Sequence, residues 1–356
     1  MTAPAVPAPD RPADERARDE DTEKLPRFGF LVIARKEFGD HLQSVRFLVV
    51  LLILGGAAIV PLYFAAEQIR QLGSETSGVQ AIFLGLFYAG PPEPAILRVY
   101  ALVTIVAPLL GIAFSFDAVN SERADGTLPR LLSQPVHRDD VINGKFLAGL
   151  AVIGLVLAIV TVIISAVGML RLGIVPSLPE VGRILAWFLV TMVYVALWLS
   201  FGLLLSVVLR RAATSGLVAF GIWILLSVFG AFLLSLVASF LAPVDAAGGD
   251  EDVVSSLQTR QFIERLLPGT LYSEAASMIL IPTDQVTASE ISPSANFTPA
   301  TVGQAFQATD PRRIGSQFSL QQSLLVIWPQ VVVLLALTVV CFAAAYVSFM
   351  RQEVRA

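Results

Sequence analysis

Residues 146–170 read FLAGLAVIGLVLAIVTVIISAVGML, a stretch without one charged side chain and without a polar face. A soluble helix keeps one side for water, so a helix apolar all round belongs in a deep core or in lipid. At 1.5 Å per residue, about 20 residues cross a hydrocarbon layer about 30 Å thick. This run is long enough to do so and is read as a transmembrane helix.

Five further runs have the same character: 47–65, 99–119, 184–209, 214–241 and 324–350. The second contains Pro108 and Gly111, and Pro108 removes a backbone hydrogen bond, which predicts a kink. Over the whole chain 55% of residues are apolar and only 15% are charged, against roughly a quarter charged in a soluble domain. The fold class is therefore all-α integral membrane with six transmembrane helices. Little chain remains for a second core. The net charge of −4 comes partly from an acidic N-terminal tail and gives no footing for nucleic acid.

Outside these runs the pattern changes. Residues 1–26 are Pro/Ala-rich with mixed charge and no apolar run of signal-peptide length, which predicts a disordered cytosolic tail. From Arg27 to Arg46, Phe28, Leu31, Ala34, Phe38 and Leu42 recur at helical spacing, with Arg35, Lys36, Glu37 and Asp40 between them. This predicts an N-terminal interfacial helix, its basic residues near lipid headgroups. The transmembrane domain is then 27–350, followed by a short tail at 351–356.

Basic residues set the orientation. With the N-terminus inside, 16 of the 24 Lys and Arg residues fall in inside segments, and the Arg210-Arg211 turn is the sharpest instance. Both termini are expected in the cytosol and the chain in the cytoplasmic membrane as a multi-pass protein. The connection 242–323 is then external. Val254 to Leu267 predicts one amphipathic helix, and Thr270 to Ile281 another after Pro268-Gly269. Residues 282–316 read as loop. In the fifth run Ser227, Ala231, Ser235 and Ser239 recur every four residues. Such a small-residue face allows close helix approach, at a dimer interface or within one bundle.

Catalytic patterns are missing. There is no GxxxxGK[ST] phosphate loop, no HExxH and no GxSxG. Cys341 is the one cysteine and sits in an apolar run; His41 and His137 stand apart, so no metal-ligand spacing arises. The chain is read as having no enzymatic site, cofactor or metal of its own. No Asp, Glu, Lys, Arg or His lies mid-way along any of the six runs. Ion-coupled transporters keep such groups at mid-depth, so a secondary transporter is disfavoured and energy must come from outside the spans. A membrane scaffold or assembly factor of the same fold is the other alternative.

The segment that joins the second and third runs is SERADGTLPRLLSQPVHR, from Ser121 to Arg138, continuing to Lys145. Gly126 permits a turn, Thr127 can cap a short helix, and Leu128, Leu131 and Leu132 give that helix an apolar face before Pro135 ends it. Such an element suits docking into a groove of a cytosolic partner; it equally suits a solvated loop whose leucines rest on the bilayer.

The order Glu122, Gly126-Thr127-Leu128, Leu131-Leu132-Ser133, Pro135-Val136, Arg138, Gly144-Lys145 resembles the ABC-2 type permeases of ATP-binding-cassette transporters. It is closest in look to the nitrous oxide reductase maturation permease branch. Ala34-Arg35-Lys36-Glu37-Phe38 and Pro268-Gly269-Thr270-Leu271-Tyr272-Ser273-Glu274-Ala275 are similar too, and the resemblance covers about residues 27–350. It implies six spans, a homodimer in membrane lipid, and a separate ABC ATPase subunit that holds the ATP and Mg and drives an exporter. By the same resemblance, Glu122, Gly126, Thr127, Leu128, Leu131, Leu132 and Arg138 belong to the ATPase-coupling loop. Arg35, Lys36, Glu37 and Phe38 belong to the interfacial helix, and the fifth run lies near the dimer interface.

Overall fold

The computed structural model describes residues 29–71, 82–89, 98–127, 137–241, 263, 265–281 and 319–351. Helix α1 (Gly29–Gln43) is joined to α2 (Val45–Gln71) through Ser44. The Ser44 hydroxyl donates to the His41 carbonyl at 2.6 Å and accepts from the Phe47 amide at 3.3 Å. A serine that bonds its neighbouring backbone in this way interrupts a helix and starts the next one. A 3₁₀ turn, Ile82–Leu84, leads into the short α3 (Gly85–Tyr88). Then come α4 (Val99–Ala113), α5 (Asn120–Ala124), α6 (Arg138–Leu172) and α7 (Leu178–Val208). The next helix is α8 (Ala212–Ile224), which passes through a π-helical turn, Leu225–Phe229, into α9 (Gly230–Leu241). The last two are α10 (Pro268–Leu280) and α11 (Leu320–Met350). No strand occurs among the described residues. Residues 1–28, most of 242–318 and the end of the chain lie outside them, including the predicted tail and most of the predicted Val254–Leu267 helix.

Local signals place the helix ends. Glu180 accepts from the amide and hydroxyl of Ser177, both at 2.7 Å, and Gln322 exchanges two bonds with Ser319. Both are capping boxes. Helix α6 stops at Gly173, whose φ of +67° is the left-handed conformation that ends a helix.

Among the described residues, five helical segments are long and apolar enough to cross a membrane: Val45–Arg70, Arg138–Leu172, Leu178–Val208, Ala212–Phe229 and Leu320–Met350. The expected run 99–119 behaves differently. Its helix, α4, ends at Ala113 after about 22 Å, and the chain turns through 114–119 before α5. Pro108 lies inside α4 without ending it. The helix gives way one turn later, where the Ser115 hydroxyl donates back to the Gly111 carbonyl at 2.6 Å and the Ser115 amide bonds only three residues back. Side-chain back-bonding of this kind bends helices.

Helices α6 and α7 form the centre, and α4, α10 and α11 pack on α7. The central core includes Trp187, Tyr194, Leu199, Tyr272 and Ile153. On the outside, Leu52, Val162, Leu217 and Val339 are exposed, as expected when lipid is the solvent. At the end that carries α1, here called proximal, a smaller cluster joins Ile33, Val119, Ile142, Val207 and Phe349. The predicted helix after Pro268-Gly269 forms, but it does not lie over the far, distal end of the bundle. Leu271, Tyr272, Ala275, Ala276 and Ile279 are buried, and Tyr272 stacks on Tyr194 with ring centres 4.5 Å apart. Its small residues let α10 slot in beside α7.

Helix α1 follows the first turns of α6. Its protein-facing side is Gly29, Ile33 and Ala34, whereas Leu31 and Val32 point outward. The close approach depends on Gly144: a Cβ there would stand 2.7 Å from Ile33 Cγ2 and 2.9 Å from the Phe30 carbonyl oxygen. Gly144→Val should therefore lift α1 from α6 and cost about 1–3 kcal/mol. Thermal unfolding in detergent and faster amide exchange across α1 are the readouts. Gly39→Ala, which meets nothing within 4 Å, should leave both unchanged.

Candidate functional site

The segment that carries the loop pattern begins at the proximal end, stapled to α7. The amides of Val119 and Asn120 donate to Ser206 Oγ at 2.9 and 3.3 Å. The fully buried Asn120 side chain donates to the Phe116 carbonyl at 3.3 Å and the Leu209 carbonyl at 3.5 Å. A single helical turn has too few hydrogen bonds to hold itself; α5 stands because α7 supplies its missing partners. After it Gly126 adopts φ +69°, a conformation costly for a residue with a Cβ. The Thr127 hydroxyl donates back to the Glu122 carbonyl at 3.2 Å.

The centre of the site is Lys145, at 5% side-chain exposure. Its Nζ donates to Glu122 Oε1 at 2.7 Å and Glu37 Oε1 at 3.1 Å. One ammonium thus joins α1, the loop helix α5 and the start of α6. Withdrawing a lysine from water costs several kcal/mol, which close carboxylates offset only when the geometry is good. Around it, Asp140 Oδ1 accepts from the Phe30 amide at 3.0 Å, placing negative charge at the open amides of the α1 N-terminus. Arg46 pairs with Asp117, and its guanidinium lies 5.5 Å from the centre of the Phe116 ring. His41 meets the edge of Phe114 with ring centres 5.4 Å apart. Burial pushes the His41 imidazole below its usual pKa, outweighing the pull of Glu37 upward.

The residues singled out from the sequence fall into distinct groups. Glu37 and Glu122 meet on Lys145, although they are far apart in the chain. Phe38 packs against the central core, while Arg35 and Lys36 are exposed, Lys36 beside Asp40 at 3.4 Å. Gly126, Thr127 and Arg138 are exposed at the two described ends of the loop. Leu128, Leu131 and Leu132 lie outside the described residues. Ser227 is exposed on the π-helical turn, and Ala231, Ser235 and Ser239 follow along α9, their side chains outside the described part. In the sequence Lys145 stands only at the end of a pattern, with nothing to connect it with the two acids. Asp140 and Asn120 carry no local signal beyond being polar beside apolar runs, and Ser206 none beyond being polar inside one.

A family model described as ABC-2 family transporter protein matches residues 31–354. Among curated proteins, the chain is similar to a probable ABC transporter permease protein NosY of Pseudomonas aeruginosa, at 32% identity over 149 residues. That alignment covers 42% of this chain and 46% of the relative, so the chain spans about half of that protein's length. It is also similar to a probable ABC transporter permease protein NosY of Stutzerimonas stutzeri, at 28% identity over 210 residues, 57% of this chain and 69% of the relative.

Two outcomes follow from the electrostatics. Lys145→Met leaves the half-buried Glu37 and Glu122 facing each other, with only the exposed Lys36 at 3.9 Å to offset Glu37, and should cost about 3 kcal/mol in unfolding measurements, the low end for breaking a buried pair. Adding Glu37→Gln and Glu122→Gln should recover most of that loss. For His41, the folded protein binds a proton less readily than the unfolded chain, so its contribution is complete above the ordinary imidazole value and is lost as pH falls. Once exchange rates are corrected for the intrinsic slowing at lower pH, the protection of the α1 amides should therefore fall as pH drops below the ordinary imidazole value, and His41→Gln should flatten that dependence.

Proposed function

Because the chain belongs to the ABC-2 family of transporter proteins, we propose that it is the membrane permease subunit of an ATP-binding-cassette exporter. A separate ATPase subunit binds and hydrolyses the ATP, and two copies of this chain form the membrane core. The similarity to two probable ABC transporter permease proteins supports this reading. The single observation that carries the mechanism is the Lys145 clamp, which ties the loop carrying the family-like pattern to two separate membrane elements.

In this reading the proximal end faces the cytosol. The excess of Lys and Arg in segments assigned to that side supports it, as does the short Arg210-Arg211 turn between α7 and α8. Helix α4, extended by the turns to α5, makes the sixth crossing. The ATPase docks on the loop between Glu122 and Arg138, with Leu128, Leu131 and Leu132 as its apolar contact. When ATP closes the ATPase pair, the loop is displaced. Glu122 pulls on Lys145 and hence on α6, and Glu37 carries α1 along. Energy is transmitted only to the extent that the ATPase binds the two membrane states with different affinity.

The chain should co-purify with its cognate ATPase and stimulate ATP turnover in lipid vesicles. Leu131→Asp with Leu132→Asp, neither of them a clamp residue, should abolish that complex while circular dichroism and thermal unfolding stay unchanged. Solute movement by the wild-type chain in vesicles free of any ATPase would overturn the proposal.

A further inference from the structure

The sequence places no ionisable group in mid-span, but the fold brings two to membrane depth from a segment outside the apolar runs. Arg265 Nε donates to Glu274 at 3.1 Å, and Gln330 Nε2 donates to the same carboxylate oxygen, Oε2, at 3.1 Å. Helix α7 exceeds a 30 Å hydrocarbon layer by about 15 Å, which puts its distal edge near Arg183. There Arg183 donates to the Ile279 carbonyl at 2.8 Å and Ser323 Oγ at 3.2 Å, so α7, α10 and α11 share a level. From Ser323 to Gln330 along α11 is about 10 Å further in. Glu274 sits between that level and Tyr272, which stacks on Tyr194, itself about 24 Å from the start of α7.

Arg265 and Glu274 are 48% and 31% exposed. An ion pair this open at such depth is far too costly to face lipid chains, and intramembrane charges face a bundle interior or a water-filled cavity. The hydrogen bonding also selects the ligand. The carboxylate accepts from two donors, whereas the terminal nitrogens of Arg265 have no partner among the described residues, and the buried Gln330 Oε1 accepts from nothing. A guanidinium with its outer edge open is a fork for two oxygens of one anion, and Gln330 holds Glu274 in place beside it. We propose that Arg265, Glu274 and Gln330 form an oxyanion-binding site in a water-filled vestibule that opens at the distal end. The vestibule lies on the route of the transporter read above, and the site takes a phosphate, sulfonate or carboxylate group, either of a soluble solute or of a lipid headgroup.

The test uses the full chain with Cys341→Ala, so that an introduced thiol is the only one. Met278→Cys lies one helical turn from Glu274 on the exposed side of α10; Val339→Cys is an exposed lipid-side control. A membrane-impermeant charged thiosulfonate should label Met278→Cys and leave Val339→Cys unlabelled. Inorganic phosphate or dodecyl phosphate should slow the labelling about tenfold at about ten times the concentration that halves it. If headgroups are the source, the slowing appears on moving from maltoside micelles to phospholipid vesicles without added phosphate. Arg265→Gln should remove the protection, and Glu274→Gln, which frees the guanidinium, should strengthen it. An inert Met278→Cys, no protection from any of these anions, or protection that survives Arg265→Gln overturns the site. No ATPase is needed, so this outcome is separate from that of the coupling experiment.

Discussion

A lysine with two carboxylates, nearly sealed from water, decides how the proximal end is built. Apolar residues of the same volume would pack as well there, and buried ion pairs are weak sources of net stability. What Lys145 contributes is a meeting point. Glu37 must come from α1 and Glu122 from α5, and neither position tolerates a shift of one helical turn without leaving a charge alone. Gly144, the preceding residue, brings α1 close enough for the acid to reach. The positions of α1 and of the loop relative to α6 follow from these neighbouring residues.

The rest of the bundle obeys the same logic. In lipid, helices gain little by hiding apolar surface from each other, so close packing and hydrogen bonds set their register. Ser206 fixes α7 to the loop, and the Thr191 hydroxyl meets the Tyr272 hydroxyl at 2.8 Å in the middle. At the distal end Glu180 accepts from the Phe83 amide at 3.0 Å, and Arg183 gathers α10 and α11. Each pin joins α7 to an element distant in sequence, which makes α7 the axis of the fold.

This division explains what the sequence discloses. Apolar length is a local property, so the runs at 47–65, 146–170, 184–209 and 324–350 are legible residue by residue. The end of α4 is not, because Ser115 looks harmless until its hydroxyl is seen to bond back to Gly111. The clamp is not legible either: Lys145 and Glu37 are 108 residues apart and share no motif. Helix α10 misleads for another reason. Thirteen residues with an apolar stripe read alike on a membrane surface and inside a bundle, and the small Ala275 and Ala276 are a weak hint of insertion.

Where the bundle bends follows from the same residues. Helices α6 and α7 run without an internal proline, whereas α2, α4 and α11 contain Pro61, Pro108 and Pro329. Between α8 and α9 the π-helical turn loosens the backbone bonding in another way. Interruptions therefore sit in the helices around the centre, and the two uninterrupted rods are the ones bound to the loop, α6 through Lys145 and α7 through Ser206. The interruptions are the points at which these outer helices can bend. Two of those points adjoin α10: the π-helical turn ends at Gly230, which packs on Leu267, and Pro329 precedes Gln330, which holds Glu274. The loop acid Glu122 is thus held by an unbroken helix, whereas Glu274 stands beside an interrupted one.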